Sequence, residues 1–282
     1  MSDRDTQTGE LIEELRAKDP DRLYTALFAS GAARDRLIGL YGFNLEVAST
    51  RERVSEPMLG QIRLQWWRDA LAEIRNGNPR RHPVVESLAT WMPQAGNAAF
   101  DLASRLIDAR EADMDEAPFE TVDQLLAYAE ATSSNLMRLA LIALDVTTGP
   151  AHETALPAGR AYALAGIIRA VPFHGVQGRV LLPGQLLASH GIMDARQSLG
   201  RRDPEKLKAV LTALADIADR SVSDARQVRG LPGAARPALL PLALARLYLR
   251  RLRKADFDLS DPGLDPGNAA RIATIFRARW LG

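Results

Sequence analysis

The sequence contains no cysteine. That removes structural disulfides, thiolate zinc sites and thiol nucleophiles together, and it leaves the redox compartment open. Histidine is scarce as well: His82, His152, His174 and His190 are the four in the chain, and no two of them have short ligand spacing. Net charge is nearly absent, because 36 Lys and Arg face 35 Asp and Glu in 282 residues, leaving +1. No global field therefore recruits nucleic acid or repels a membrane, and electrostatic targeting must be local. No stretch approaches the roughly 18 apolar residues of a membrane span. The opening MSDRDTQTGELIEELRAKDP lacks a signal-peptide core and carries acids that argue against a transit peptide. A cytoplasmic protein is expected, with any membrane contact made at the surface. A Walker loop, dinucleotide fingerprint, nucleophile elbow and zinc-protease signature are also missing.

What is present is helical periodicity almost throughout. Asp19-Pro20 and Asp203-Pro204 each place a capping acid before a proline suited to a first helical turn, and Thr121 with Gln124 has capping-box spacing. The segment from Ser55, SEPMLGQIRLQWWRDALAEIRNGN, predicts a helix capped at Ser55, with Met58, Ile62, Trp66, Leu71 and Ile74 apolar and an Asn-Gly exit. Further helices are expected near 21–30, 32–53, 83–92, 97–112, 121–145, 152–171, 183–190, 204–229, 236–255 and 267–280. No strand series emerges, and the Pro/Gly joints are too short to separate domains. The expected fold is one all-α domain over residues 1–282.

One stretch raises a chemical question. LAGIIRAVPFHGVQGRVLLP (164–183) is an apolar helix with a lone arginine, Arg169, expected to break at Pro172. A buried guanidinium needs a partner or an anionic ligand.

Together with LIGLYGFNLEVASTRERVSEP (37–57) and LQWWRDALAEI (64–74), this stretch resembles the squalene/phytoene synthase family. In that family a Tyr-Ala-Phe helix leads into an Asp-rich motif, a Leu-Gln-Trp-Trp-Arg-Asp-like helix follows, and a later helix ends in Arg-Asp-x-x-x-Asp before Gly-Arg-x-x-Leu-Pro. The resemblance implies a single isoprenoid-synthase-type helical bundle around a central cavity, with residues 1–18 as a peripheral N-terminal helix. It also implies head-to-head joining of prenyl diphosphates, for which Mg²⁺ is held by carboxylates from facing helices. Acids at i and i+4 share a helix face, so paired motifs can clamp metal and diphosphate between them.

Those carboxylates are largely missing here. Alignment on Tyr41-Gly42-Phe43 puts the first motif's acids at Ala48, Ser49 and Glu52, and alignment on Arg169 puts the second pair at Ala170 and His174. Glu46 does not replace them, because six helical residues turn it about 240° from Glu52. The resemblance makes Glu52, Asp113, Arg169, His174, Arg179 and Trp67 candidates for a pocket. For Arg169 and Arg179 two readings stay open: holding a phosphate or lipid head group, or a structural ion pair with Glu52 or Asp113. Trp66 and Trp67 point about 100° apart, so at least one belongs to the core. His174 has no evident carboxylate to orient it as a base and reads as an ordinary helix-end histidine.

NLEVAS, VSEPMLGQIRLQWWRDAL, NPRRHPV, YAEATSSNLMRLAL, RAVPFHG and LRKADFD resemble a divergent branch of the family. That branch comprises the mitochondrial complex I assembly factor with a squalene/phytoene synthase-like fold and its bacterial relatives. The branch implies a pseudoenzyme with no cofactor, acting in assembly of respiratory NADH dehydrogenase at the inner face of the cytoplasmic membrane. Its partners would be complex I subunits or assembly intermediates, and anionic or prenyl lipid. Two alternatives remain: a prenyltransferase using Mg²⁺, and a lipid or isoprenoid carrier without turnover. Finally, Arg246, Arg250 and Arg253 recur at i, i+4 and i+7. A solvated face near a helix C-terminus is the ordinary reading of such a stripe, and contact with anionic lipid or an acidic partner is the functional one.

Overall fold

The computed structural model describes residues 3–193 and 204–281, and every regular element among them is helical. In chain order these are α1 (Asp3–Lys18), α2 (Pro20–Ala26), α3 (Gly31–Ala48), α4 (Pro57–Arg75), α5 (Pro83–Ala89), α6 (Met92–Ala95), α7 (Asn97–Ala109) and α8 (Val122–Ala129). Then follow α9 (Asn135–Ala143), α10 (Pro150–Val176), α11 (Gly184–Ser189), α12 (Pro204–Gln227), α13 (Arg236–Leu239), α14 (Pro241–Lys254) and α15 (Gly267–Leu281).

Local chemistry sets several boundaries where the sequence places them. The Asp19 carboxylate accepts from Arg22 N at 3.3 Å to start α2, and Thr121 and Gln124 form both halves of a capping box at α8. Gly77 takes φ +76° at the Asn-Gly exit of α4. Asp203 lies outside the described residues, and α12 is seen from Pro204.

Other boundaries differ. α4 starts at Pro57 with Glu56 at its cap and no side-chain cap bond, so Ser55 does not serve. Its buried stripe is Gly60, Leu64, Trp67, Leu71 and Ile74, while Met58 and Ile62 are 68% and 61% exposed. The register turns because Gly60, having no Cβ, accepts the Met114 side chain against its backbone. α3 stops at Ala48, and residues 51–53 form a separate 3₁₀ turn, so Glu52 is not on the helix. The predicted 121–145 helix is interrupted by a π-helical turn at Glu130–Ser134. α10 shows the opposite error, running unbroken to Val176 with Pro157 and Pro172 inside it. Pro172 has no N–H to give the Ile168 carbonyl, yet the helix runs on through it. The helix ends four residues past the proline, and Gly178, φ +71°, follows the C-cap Gln177.

α10 is the central strut, packing against α9 and the π turn, and against α12 and α14. Two apolar clusters flank it. One is built from α1, α3, α4, α5, α7 and α9, the other from α10, α12 and α14, and Tyr162 and Leu242 touch both. The N-terminal helix is not peripheral along its second half: Leu15 is fully buried and Leu11 packs on Gly42.

Candidate functional site

Buried apolar helices oblige any ionised group among them to be paired and hydrogen-bonded. Two such polar groups lie between the helices. The first centres on Asp113, buried in the 3₁₀ turn after α7. Its carboxylate accepts from Tyr128 OH at 2.7 Å and from Arg110 Nη1 at 3.2 Å, and Arg179 Nη2 stands 3.5 Å away. Arg110 Nη1 also donates to Tyr128 OH at 2.7 Å. Burial, then the Asp113 charge, holds the Tyr128 hydroxyl well above the usual phenol range against the opposing Arg110.

His174 completes this group from the last turn of α10, where its carbonyl accepts from Arg179 N at 2.9 Å. Burial and then the Arg179 charge lower its pKa from 6.5 to about 4, against the pull of Asp113. Nδ1 of His174 and both Nε and Nη2 of Arg179 lack hydrogen-bond partners. The space they share with Val171 and Leu181 is about 10 Å³, room for about one water molecule.

The second group centres on Asp21 of α2. Its carboxylate accepts from Tyr248 OH at 2.7 Å and Tyr162 OH at 2.9 Å, and Arg271 Nε lies 3.1 Å from it. Arg271 also reaches Asp265 at 2.9 Å. The Arg169 guanidinium stacks 3.8 Å from the Tyr248 ring centroid. Arg22, tied to Asp19 at 2.8 Å, stacks on Tyr162 and stands close enough to Arg110 for their charges to interact, which brings the two groups near each other.

The structure thus divides the sequence candidates. Asp113, His174 and Arg179 come together. Arg179, 5% exposed, takes the ion-pair reading with Asp113, whereas Arg169 pairs with neither Asp113 nor Glu52 and rests on an aromatic face. Glu52 is exposed on its 3₁₀ turn and is no pocket residue. Ser49 is buried with its hydroxyl donating to Leu45 O at 2.7 Å, and Ala48 ends α3 half-buried. Trp67 lies in the core, edge-on to Phe43 and Trp66 with ring centroids 5.3 and 4.9 Å apart. Trp66 is the partly buried one, covered by the Arg80 guanidinium. Arg253 is paired with Asp216 and Asp219 at 2.7 and 2.6 Å, so it leaves the basic stripe.

Sequence reasoning missed Asp21, Arg110, Tyr128, Tyr162, Tyr248 and Arg271. Asp21 was hidden beside the Asp19-Pro20 cap, and the tyrosines read as core. The only signal was that Asp-Pro-Asp-Arg holds one more acid than a cap requires.

These residues do not fit Mg²⁺. Because α10 continues through Pro172, positions 170 and 174 do lie one helical turn apart on a common face, but they carry Ala170 and a neutral His174. Opposite, Ser49 is spent on its own helix and Glu52 faces solvent. Among the described residues no three His, Asp or Glu side chains converge as metal ligands. A cavity of about 590 Å³ opens where the end of α10 meets the start of α12 and the turn after α14, between Val171, Pro172, Leu207 and Phe257. Asp113, Arg169 and Arg179 do not line it. No helix among the described residues is long and apolar enough to cross a membrane.

An all-α bundle with this helix order is the isoprenoid-synthase architecture. A dehydrosqualene synthase crystallised with a ligand superposes with a TM-score of 0.80 over 98% of this chain and 96% of its own, at 16% identity. The squalene synthase HpnC from Alicyclobacillus acidocaldarius gives 0.75 over 89% and 95%, also at 16% identity. A sequence profile of the squalene/phytoene synthase family matches residues 15–270, and the chain belongs to that family. Within it the chain is similar to the protein named NADH dehydrogenase (ubiquinone) complex I, assembly factor 6. The Bos taurus protein is 29% identical over 271 residues, covering 95% of this chain and 80% of the relative. The Homo sapiens protein is 28% identical over 272 residues with the same coverage.

Proposed function

We propose that this chain is a non-catalytic member of the family that assists assembly of respiratory NADH dehydrogenase, complex I, at the inner face of the cytoplasmic membrane. Its partners are complex I subunits or their assembly intermediates. The observation that carries the proposal is the loss of both metal-binding motifs on an otherwise retained scaffold. Ala48, Ser49, Ala170 and His174 stand at the motif positions, and the arginine expected to face a diphosphate, Arg179, is instead held beside Asp113. Similarity to proteins named as complex I assembly factors, over nearly the whole chain, supports the same reading.

The competing reading is head-to-head prenyl transfer. It requires Mg²⁺-dependent release of pyrophosphate from farnesyl or geranylgeranyl diphosphate. Purified protein is expected to release none above background with either substrate while an active synthase control turns over. Metal-dependent release would return the chain to the enzymes. A carrier reading draws on the 590 Å³ cavity, whose walls include Val171, Leu207, Phe257 and Leu259. A prenyl lipid seen with the purified protein by native mass spectrometry would favour it.

A further inference from the structure

The near-zero net charge conceals a strong segregation. Residues 225–255 hold eight Arg and Lys with no Asp or Glu, and residues 266–282 hold three Arg with no acid, which leaves the other 234 residues ten charges negative. The structure gathers Arg226, Arg229, Arg236 and Arg246 at one end of the bundle, whereas Arg251, Arg253 and Lys254 close α14 toward the other. α12 finishes there at Gln227, α13 and the start of α14 follow, and Arg236 Nη1 donates to Arg279 O in the last turn of α15. The opposite end, where α12 begins and α14 finishes, carries the cavity and the acids Glu205, Asp256 and Asp258.

Like charges meet at the basic end. Arg226 and Arg250 stand near enough to Arg246 to add to the burial that lowers its pKa. Arg226, Arg229, Arg246 and Arg250 form no ion pair among the described residues, in contrast to Arg253 on the same helix. Unneutralised repulsion of this kind disfavours the compact state until an anion relieves it. Exposed apolar side chains share the region: Leu231 in the loop after α12, and Ile272 and Phe276 one turn apart on α15, at 36%, 45% and 55% exposure. Arg277 is exposed beside Phe276.

We propose that this end of the bundle, made by the C-terminus of α12, the 228–236 loop, the first turns of α14 and the outer face of α15, docks the protein on an anionic lipid surface. Guanidinium groups meet phosphate oxygens while Leu231, Ile272 and Phe276 enter the interface, the two signals that reversible membrane binding combines. An acidic protein segment would neutralise the arginines but gives no reason for bulky apolar groups on both a loop and a helix. The inference deepens the membrane placement within the proposed function, and its test does not involve NADH dehydrogenase.

The test is cosedimentation of the full chain with vesicles of phosphatidylcholine alone and of phosphatidylcholine with about a third phosphatidylglycerol. Binding to the anionic vesicles only, weakening as salt rises, is expected. Arg246→Gln and Arg250→Gln should each lower the partition coefficient about fivefold, and Phe276→Ser should lower it at unchanged charge. Arg81→Gln, an exposed arginine before α5, should bind like the parent chain. Thermal midpoints near that of the parent chain certify each variant as folded. Absent binding, equal binding to both vesicles, or parental binding by folded Arg246→Gln/Arg250→Gln overturns the proposal, and none of these outcomes bears on the assembly reading.

Discussion

Asp21 is a single carboxylate held by three side chains from distant parts of the chain, and its partners make its cost visible. Tyr248 OH donates to Asp21 at 2.7 Å and accepts from Arg271 Nε at 3.1 Å. Tyr248→Phe keeps the ring under Arg169 but leaves both groups short of a bond, so a loss of about 1–3 kcal/mol in urea unfolding is expected. Arg271→Ala removes the countercharge itself and should cost more, about 3–5 kcal/mol. His174 gives a pH signature. Its folded pKa of about 4 lies below the ordinary 6.5, so between these values the unfolded chain binds more protons. Its contribution is complete above about pH 6.5 and is lost as pH falls toward 4. His174→Gln should flatten that part of the stability profile, measured by urea melts at successive pH values.

At the scale of elements, the contact between α10 and the π turn is the most exacting. Gly159 sits so close to Ser134 that a Cβ would strike its backbone and hydroxyl. Gly159→Ala should therefore destabilise by about 1–3 kcal/mol in thermal or urea unfolding, against the usual gain from replacing a helical glycine. An unchanged or higher midpoint would refute this packing. The helices themselves were legible because their periodicity and caps are local, as at Asp19 and Thr121. The π turn was not, since a one-residue widening leaves apolar spacing almost unchanged. Pro172 misled because its local preference for a break was outweighed by the burial of Leu164, Ala165, Ile168 and Val171 along α10. The stripe of α4 was misread because Gly60 counts as nothing in a hydropathy pattern yet is where the Met114 side chain packs against the helix.

Across the whole molecule, the candidate site was legible where a motif position kept a chemical residue type, as with Asp113, His174 and Arg179. It was hidden where function-like polarity came from tyrosines and from α2 and α15, which only the tertiary fold brings beside α10. The scaffold is that of the squalene/phytoene synthases. Of the acids expected at its metal positions only Glu52 is present, and it faces solvent. The most direct measurement is NADH dehydrogenase assembly in membranes from cells with the gene deleted, resolved by native electrophoresis with in-gel activity. Depleted active complex and an accumulating intermediate, both reversed by the intact gene, are expected. Fully assembled, active NADH dehydrogenase without intermediates in the deletion strain would contradict the assembly reading.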